Sequence, residues 1–219
     1  MSITIITGTA TDVGKTVVTA GIVGKHLSEG ALPHVIKPIQ TGEPDGHGDL
    51  RTIADLTGLP QTHLHEFIRY PEPLAPATAA RRAGMDTLSL PDVSHRITTL
   101  AANGDPVLVE GAGGLLVRMG DWTIADLAVE LGAPMIVVTS TGLGSLNTAE
   151  LTVEACRHRG IDVVGLVGGS VPAVPDLATT CNITDLPDLT GVPALAWIPE
   201  GAGQLPREQF LAAAPGWFR

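Results

Sequence analysis

Along the chain, short runs of β-branched and aliphatic residues alternate with longer segments whose apolar positions recur at helical spacing. The runs Ile3–Thr7, His34–Lys37, Val107–Glu110, Met135–Thr139, Val163–Val167 and Ala194–Ile198 predict strands. Most are apolar at every position, as in parallel strands covered on both faces. Helical period predicts helices over Lys15–Ser28, Asp49–Leu56, Leu90–Ala102, Ile124–Leu131, Leu146–Arg159 and Arg207–Ala213. Gly30, Gly58, Gly104, Gly132 and Gly160 follow helical segments, where a left-handed residue ends the helix. This order predicts a single α/β domain over residues 1–219, a doubly wound, mostly parallel sheet with helices on both faces. Its ligands belong beyond the carboxyl ends of the strands. Gly42–Gly48 reads as a mobile loop and Arg69–Pro76 as an extended connection, because residues before proline avoid the helical region. No internal repeat or strong domain boundary is visible.

Aromatics make up 3% of the chain, so the core must be built from Val, Ile, Leu and Ala. The net charge of −10 argues against general binding of nucleic acid or an anionic membrane. No window approaches the ~18 apolar residues of a spanning helix. The start of the chain lacks the basic region of a signal peptide. Cys156 and Cys181 have no C-x-x-C spacing, which suggests neither zinc site nor disulfide framework and fits a reduced, cytoplasmic setting.

The residues that carry chemistry cluster just after strands. Gly8-Thr-Ala-Thr11-Asp12-Val13-Gly14-Lys15-Thr16 follows the first strand and opens a helix, the context of a phosphate-binding loop. Its backbone N–H groups and the helix N-terminus suit phosphate oxygens. Lys15 reaches the β- and γ-phosphates and the Thr16 hydroxyl suits Mg²⁺. Five residues separate the two glycines, one more than in the common pattern. Lys37-Pro-Ile-Gln-Thr41-Gly42 follows the second strand. Lys37 is either a solvated strand terminus or, on the ligand edge of this sheet, an ammonium that holds an anion or polarises a reacting group. Asp49 is either a helix N-cap or a metal ligand. Glu110-Gly111-Ala112-Gly113-Gly114 is a tight turn with a solvated Glu or the second Mg²⁺-linked acid of a nucleotide site. Thr16, Asp49 and Glu110 together would supply three oxygens to one Mg²⁺, with water and phosphate completing the shell. Thr141–Asn147 is a plain strand-to-helix connection or a set of N–H groups for a carboxylate. His63-Leu-His65 has metal-like spacing but no cysteine beside it, and reads as a loop pair without a role.

With these segments located, the sequence resembles the dethiobiotin synthetase family. The matching pieces are TGTATDVGKT, KPIQTG, VLVEGAGG, TGLGSLNTAELT and WIPEG, in family order over most of the chain. The five-residue glycine spacing is normal in that family. The resemblance implies a P-loop NTPase-like fold, a homodimer, and an ATP-dependent ligase that makes dethiobiotin from 7,8-diaminononanoate and CO₂ with Mg²⁺. It implies Lys37 and Lys15 as catalytic residues, and Thr16, Asp49 and Glu110 as metal and nucleotide ligands. Thr11, Asp12, Val13, Gly14 and Val17 join the nucleotide site, with Gly111, Ala112 and Gly113. Thr41 and the Gly111 region fall on the substrate-amine side. Gly144, Ser145, Leu146 and Asn147 match a loop that takes the substrate carboxylate from the partner subunit. Pro199, Glu200, Gly201 and Ala202 match the ribose-side loop. The family often reads adenine with an asparagine after the fifth long strand. Here Val167–Ser170 has neither asparagine nor aromatic, leaving the base to Gly169, Ser170 and backbone groups, so other nucleoside triphosphates are also expected to serve.

Two other readings compete. Partitioning ATPases of the deviant P-loop type carry an early loop lysine, where this chain has Thr-Ala-Thr-Asp at positions 9 to 12. Related cofactor-pathway ligases fused to amidotransferases need a glutaminase partner for which the chain is too short.

Overall fold

The computed structural model describes residues 3–43 and 46–218. Part of the Gly42–Gly48 loop, residues 44 and 45, lies outside the described residues. Seven strands form one sheet in the order β3-β2-β4-β1-β5-β6-β7, and every pairing is parallel. They are β1 Ile3–Gly8, β2 His34–Thr41, β3 Leu64–Tyr70, β4 Val107–Gly114, β5 Met135–Thr139, β6 Val163–Val171 and β7 Ala194–Pro199. The helices are α1 Lys15–Ser28, α2 Asp49–Thr57, α3 Pro76–Ala83, α4 Leu90–Ala101, α5 Ile124–Leu131, α6 Ser145–Arg157, α7 Leu177–Thr190 and α8 Arg207–Ala213.

Two apolar cores follow from alternation across the sheet. Ile6, Val35, Leu108, Val138 and Ile198 face α1, α2 and α8, meeting Val18, Ile53 and Phe210. Ile5, Ile36, Val109, Val137 and Leu166 face the other side, meeting Ala79 of α3, Ile97 of α4, Leu127 of α5 and Val153 of α6. Aliphatic residues do build most of this core, and the five glycines after helices all have positive φ.

Three elements differ from the sequence reading. Leu64–Tyr70, which overlaps the expected loop pair His63–His65 and the start of the expected connection Arg69–Pro76, is the edge strand β3, and His65 lies within it. The connection after it ends at α3, which starts on Pro76, a residue suited to the first helical turn. The helix α7 was not anticipated at all. Three strands each run four residues beyond the expected end: β2 to Thr41, β4 to Gly114 and β6 to Val171. Pro38 lacks an N–H, but the pairing of β2 with β4 ends at Ile36, so that ladder loses no donor to it. Beyond Ile36 the two strands part, and the cavity opens there.

Candidate active site

β1 ends at Gly8 and α1 begins at Lys15, with the loop between them wound tightly. Asp12 has φ 59° and Gly14 φ 94°. A side chain on Gly14 would lie 2.6 Å from the Gly169 carbonyl oxygen, and one on Gly169 would collide with the Val13 carbonyl. Both positions therefore have to be glycine, because the P-loop and the end of β6 pack backbone to backbone. The Lys15 Nζ donates to the Ala10 carbonyl at 3.0 Å and faces the cavity. Burial, and then repulsion from Lys37, hold its pKa below the ordinary lysine value against the pull of Glu110, Asp49 and Asp12.

Ile36 pairs with Val109 and Ile6 with Glu110, which sets Lys37 and Glu110 side by side on the α1 face of the sheet. Lys37 Nζ donates to Glu110 Oε1 at 3.0 Å and to the Gly111 carbonyl at 2.9 Å, and pairs with Asp49 Oδ2. Glu110 Oε1 also accepts from Thr16 Oγ1 at 3.0 Å, and Oε2 accepts from Thr19 Oγ1 at 2.6 Å. Burial opposes the charge on Lys37, but Glu110 and Asp49 outweigh it and raise its pKa above the ordinary lysine value. Burial likewise opposes ionised Asp49, yet Lys37, with help from Thr16, brings its carboxyl below its usual range. The cluster thus holds one ammonium between the carboxyl groups of Asp49 and Glu110.

For three residues the structure excludes the reading without a functional role. Lys37 is 3% exposed in the middle of β2, not a solvated terminus. Asp49 is not an N-cap, since α2 is capped by Gly48 and the Asp49 side chain is turned to Lys37. Its backbone N–H donates to Gln40 Oε1 at 3.1 Å. Glu110 is 1% exposed within β4, not in a solvated turn.

A cavity of about 850 Å³ lies above this cluster. Of the expected residues, Thr11, Asp12, Gly14, Lys15, Thr16, Val17, Lys37, Thr41, Asp49, Ala112 and Gly113 line it. Val13 is buried against Gly169, while Glu110 and Gly111 lie beneath the cavity as partners of Lys37. Ser170 is exposed at the end of β6. The Pro199–Ala202 segment joins β6 through Glu200 N–H to the Val171 carbonyl at 2.8 Å, and a side chain on the next residue, Gly203, would crowd Val17 of α1. Gly169 and the 199–202 loop thus flank the P-loop. Gly144, Ser145, Leu146 and Asn147 start α6 and do not line this cavity.

Sequence reasoning missed several neighbours. Thr19 follows Thr16 by one helical turn, a spacing that could have pointed to it. Gln40 holds Asp49, but a glutamine in a strand gives no such signal. Ile39, Pro73, Leu74 and Val117 supply an apolar wall from segments read as strand ends and loops. Among the described residues, no three or more His, Cys, Asp or Glu side chains are arranged to hold a metal by themselves. Among the described residues, no helix is long and apolar enough to cross a membrane.

A family model described as an AAA domain matches residues 4–204. A protein of Corynebacterium kroppenstedtii, named ATP-dependent dethiobiotin synthetase BioD, is 58% identical over all of this chain and 94% of its own length. Proteins of the same name from Frankia casuarinae and Streptomyces coelicolor are 53% and 50% identical. They cover 98% and 100% of this chain, and 90% and 92% of their own lengths. Among solved structures, the MinD cell division protein of Aquifex aeolicus superposes with a TM-score of 0.60 at 14% identity, covering 99% of this chain and 95% of its own. At that identity the likeness is one of fold, a P-loop NTPase-like sheet.

Proposed function

The chain belongs to the ATP-dependent dethiobiotin synthetases, and from that premise we propose how its residues divide the reaction. It is an ATP-dependent ligase of biotin synthesis. Its substrates in this reading are 7,8-diaminononanoate, CO₂ and ATP. One amine captures CO₂ as a carbamate. A carbamate oxygen attacks the γ-phosphorus and ADP leaves, giving a carbamic–phosphoric anhydride. The second amine attacks the carbonyl, closes the ureido ring and expels phosphate.

No protein nucleophile is needed, so positioning and charge neutralisation carry the rate. The observation that supports this most directly is Lys37, buried and charged between Asp49 and Glu110 at the floor of the cavity. In this reading it meets the oxygens of the transferring phosphoryl group, while Lys15 and the backbone of Thr11–Thr16 hold the β- and γ-phosphates, with Val17 beside them. Thr41, Gly111, Ala112 and Gly113 face the amines. The apolar wall of Ile39, Leu74 and Val117 suits a hydrocarbon chain. Gly169, Ser170 and Pro199–Ala202 take the nucleoside, with bases other than adenine admitted.

Asp49 and Glu110 already converge on one cation, the Lys37 ammonium, and Thr16 Oγ1 donates to Glu110 Oε1 beside them; this hard-oxygen set fits Mg²⁺. When bound, Mg²⁺ would neutralise the charge that develops on the phosphate oxygens. We further propose a two-fold homodimer in which Gly144–Asn147 of one subunit bind the substrate carboxylate of the other. The placement of that helix start away from its own cavity supports this. The ATP requirement and the free thiols of Cys156 and Cys181 support a cytoplasmic setting.

The test is formation of dethiobiotin from the diamine, bicarbonate and Mg-ATP by the purified protein. Product with one phosphate released per ring is expected. ATP hydrolysis with no dependence on the diamine would point to a switch-type ATPase.

A further inference from the structure

The helix α7 was invisible to the sequence reading, yet it reaches the loop between β5 and α6. Asn182 sits within α7 and is 6% exposed. Its side-chain amide nitrogen shares two hydrogens among the Thr141 carbonyl at 2.9 Å, the Gly142 carbonyl at 2.8 Å and Ser145 Oγ at 3.1 Å. No other side chain among the described residues donates to those two carbonyls. The Gly142 carbonyl also accepts the Ser145 N–H at 3.2 Å, which closes the turn that starts α6. Gly144 within that turn has φ 91°, and Leu143 at its apex is 94% exposed. One buried amide thus ties both feet of a loop whose tip stands in solvent.

The first N–H groups of a helix have no partner within the helix and are free to meet an anion. Where they point is set by the turn before them. By drawing the Thr141 and Gly142 carbonyls inward, Asn182 keeps two acceptors away from the face where an anion would approach.

We propose that Asn182 is a positioning residue for the substrate carboxylate, acting through the Thr141–Asn147 helix start. The proposal rests on the assignment of Gly144–Asn147 to that carboxylate made above. Asn182 touches neither nucleotide loop nor Lys37, so its effect falls on capture of the diamine and leaves ATP handling alone.

The informative variant is Asn182→Asp, which keeps the shape and turns two donors into an acceptor facing carbonyls. Asn182→Ser keeps one donor and serves as the milder change. In Asn182→Asp the KM for the diamine should rise by about tenfold or more, the loss expected when buried acceptors lose a shared donor. The KM for ATP should hold, and kcat at saturating diamine should stay within about threefold. Asn182→Ser should fall between it and the wild type. Amide hydrogen exchange over residues 142–147 should quicken. A carboxylate-free diamine of the same length separates the two ideas. If the wild type binds both diamines alike, the carboxylate assignment fails and the proposal with it. If the wild type prefers the carboxylate but Asn182→Asp impairs both diamines equally, the proposal alone is overturned. Unchanged exchange at 142–147, or an ATP KM that rises in step with the diamine KM, also overturns it.

Discussion

The Lys37 ammonium and the Glu110 carboxylate meet at 3.0 Å from adjacent strands, and neither reaches solvent to any useful extent. A buried pair of this kind is costly to break, because the survivor keeps its charge without a partner. Lys37→Ala should therefore do two things. The kcat should fall at least ~100-fold, as when one preorganised charge is removed from a transition state. Without nucleotide, the fold should also lose about 3 kcal/mol or more, since Glu110 and Asp49 would face each other unneutralised. Added Mg²⁺ should return part of the stability and little of the rate. Urea denaturation with and without Mg²⁺, beside steady-state kinetics, measures both. A variant with near-normal turnover would remove Lys37 from the mechanism.

Thr19 and Asp49 bear on the same acids from different sides. Thr19→Val keeps the shape but removes the 2.6 Å bond to Glu110 Oε2, a charge-assisted hydrogen bond of about 1.5–3 kcal/mol. Its activity should decline modestly, with a higher Mg²⁺ requirement. Asp49→Ala should raise the Mg²⁺ requirement further, and excess Mg²⁺ should recover part of the turnover in each. Titration of activity against Mg²⁺ at fixed ATP checks this. Identical Mg²⁺ curves for both variants and the wild type would show that neither residue acts through the metal.

What could be read from the sequence was what local pattern dictates. The P-loop was legible because strand, glycines, Lys-Thr and helix must follow one another in the chain. The locations of Lys37, Asp49 and Glu110 were legible as motif positions, but not their mutual pairing, which depends on the β2–β4 register. β3 escaped notice because LHEFIRY breaks its apolar run with His65, Glu66 and Arg69, the polar marking of a sheet edge. α7 escaped because its threonines and Pro187 disfavour a helix locally, and contacts such as those of Asn182 with the β5–α6 loop hold it in place. The apolar pattern ends the second strand at Lys37, before Pro38, whereas β2 continues to Thr41.

The histidines dismissed as a loop pair form a stacked group at the opposite end of the strands. His34 Nδ1 and His65 Nε2 share a hydrogen at 2.9 Å, and the His34 ring stacks on His63 at 4.3 Å. Burial and then His63 lower the pKa of His34 against the pull of Asp105. Burial, His34, His63 and Arg96 lower that of His65. Folded pKa values below the unfolded ~6.5 mean that the unfolded chain binds more protons in this range. The stability contribution is full above about pH 6.5 and is lost as pH falls through the folded values. Denaturation midpoints should drop between about pH 7 and 5, and the slope should flatten in His65→Gln. An equal slope in that variant would mean the cluster does not carry the effect.

The shared site predicts complementation. Lys37→Ala chains lack the phosphoryl-side charge, and Asn147→Ala chains lack a proposed contact to the partner's substrate. Each homodimer should be impaired. In a two-fold assembly, one hybrid site pairs an intact Lys37 with an intact Asn147. Mixing and re-equilibrating the two variants should restore activity toward about a quarter of wild type, half the sites in half the dimers. No recovery, with exchange of subunits verified by mass, would mean that each chain completes its own site.

Base selection should be weak, and the geometry of Gly169 is the reason. Strong discrimination needs buried donors and acceptors that a wrong base leaves unpaired. No side chain can stand at Gly169, because the Val13 carbonyl occupies its place. Ser170 is exposed and carries one hydroxyl, which donates or accepts and so adapts to several bases. The P-loop and the acid cluster bind phosphates and metal, which every triphosphate offers. At least one of CTP, GTP and UTP should therefore support turnover within about tenfold of ATP in kcat/KM, a gap of ~1.4 kcal/mol. Ser170→Asn, which adds a fixed amide at the exposed position, should widen that gap. Gly169→Asn should instead damage the P-loop and raise the KM of every nucleotide together. The measurement is kcat/KM for the four triphosphates at saturating diamine. A hundredfold preference for ATP in the wild type would show that backbone groups around Pro199–Ala202 read the base unaided.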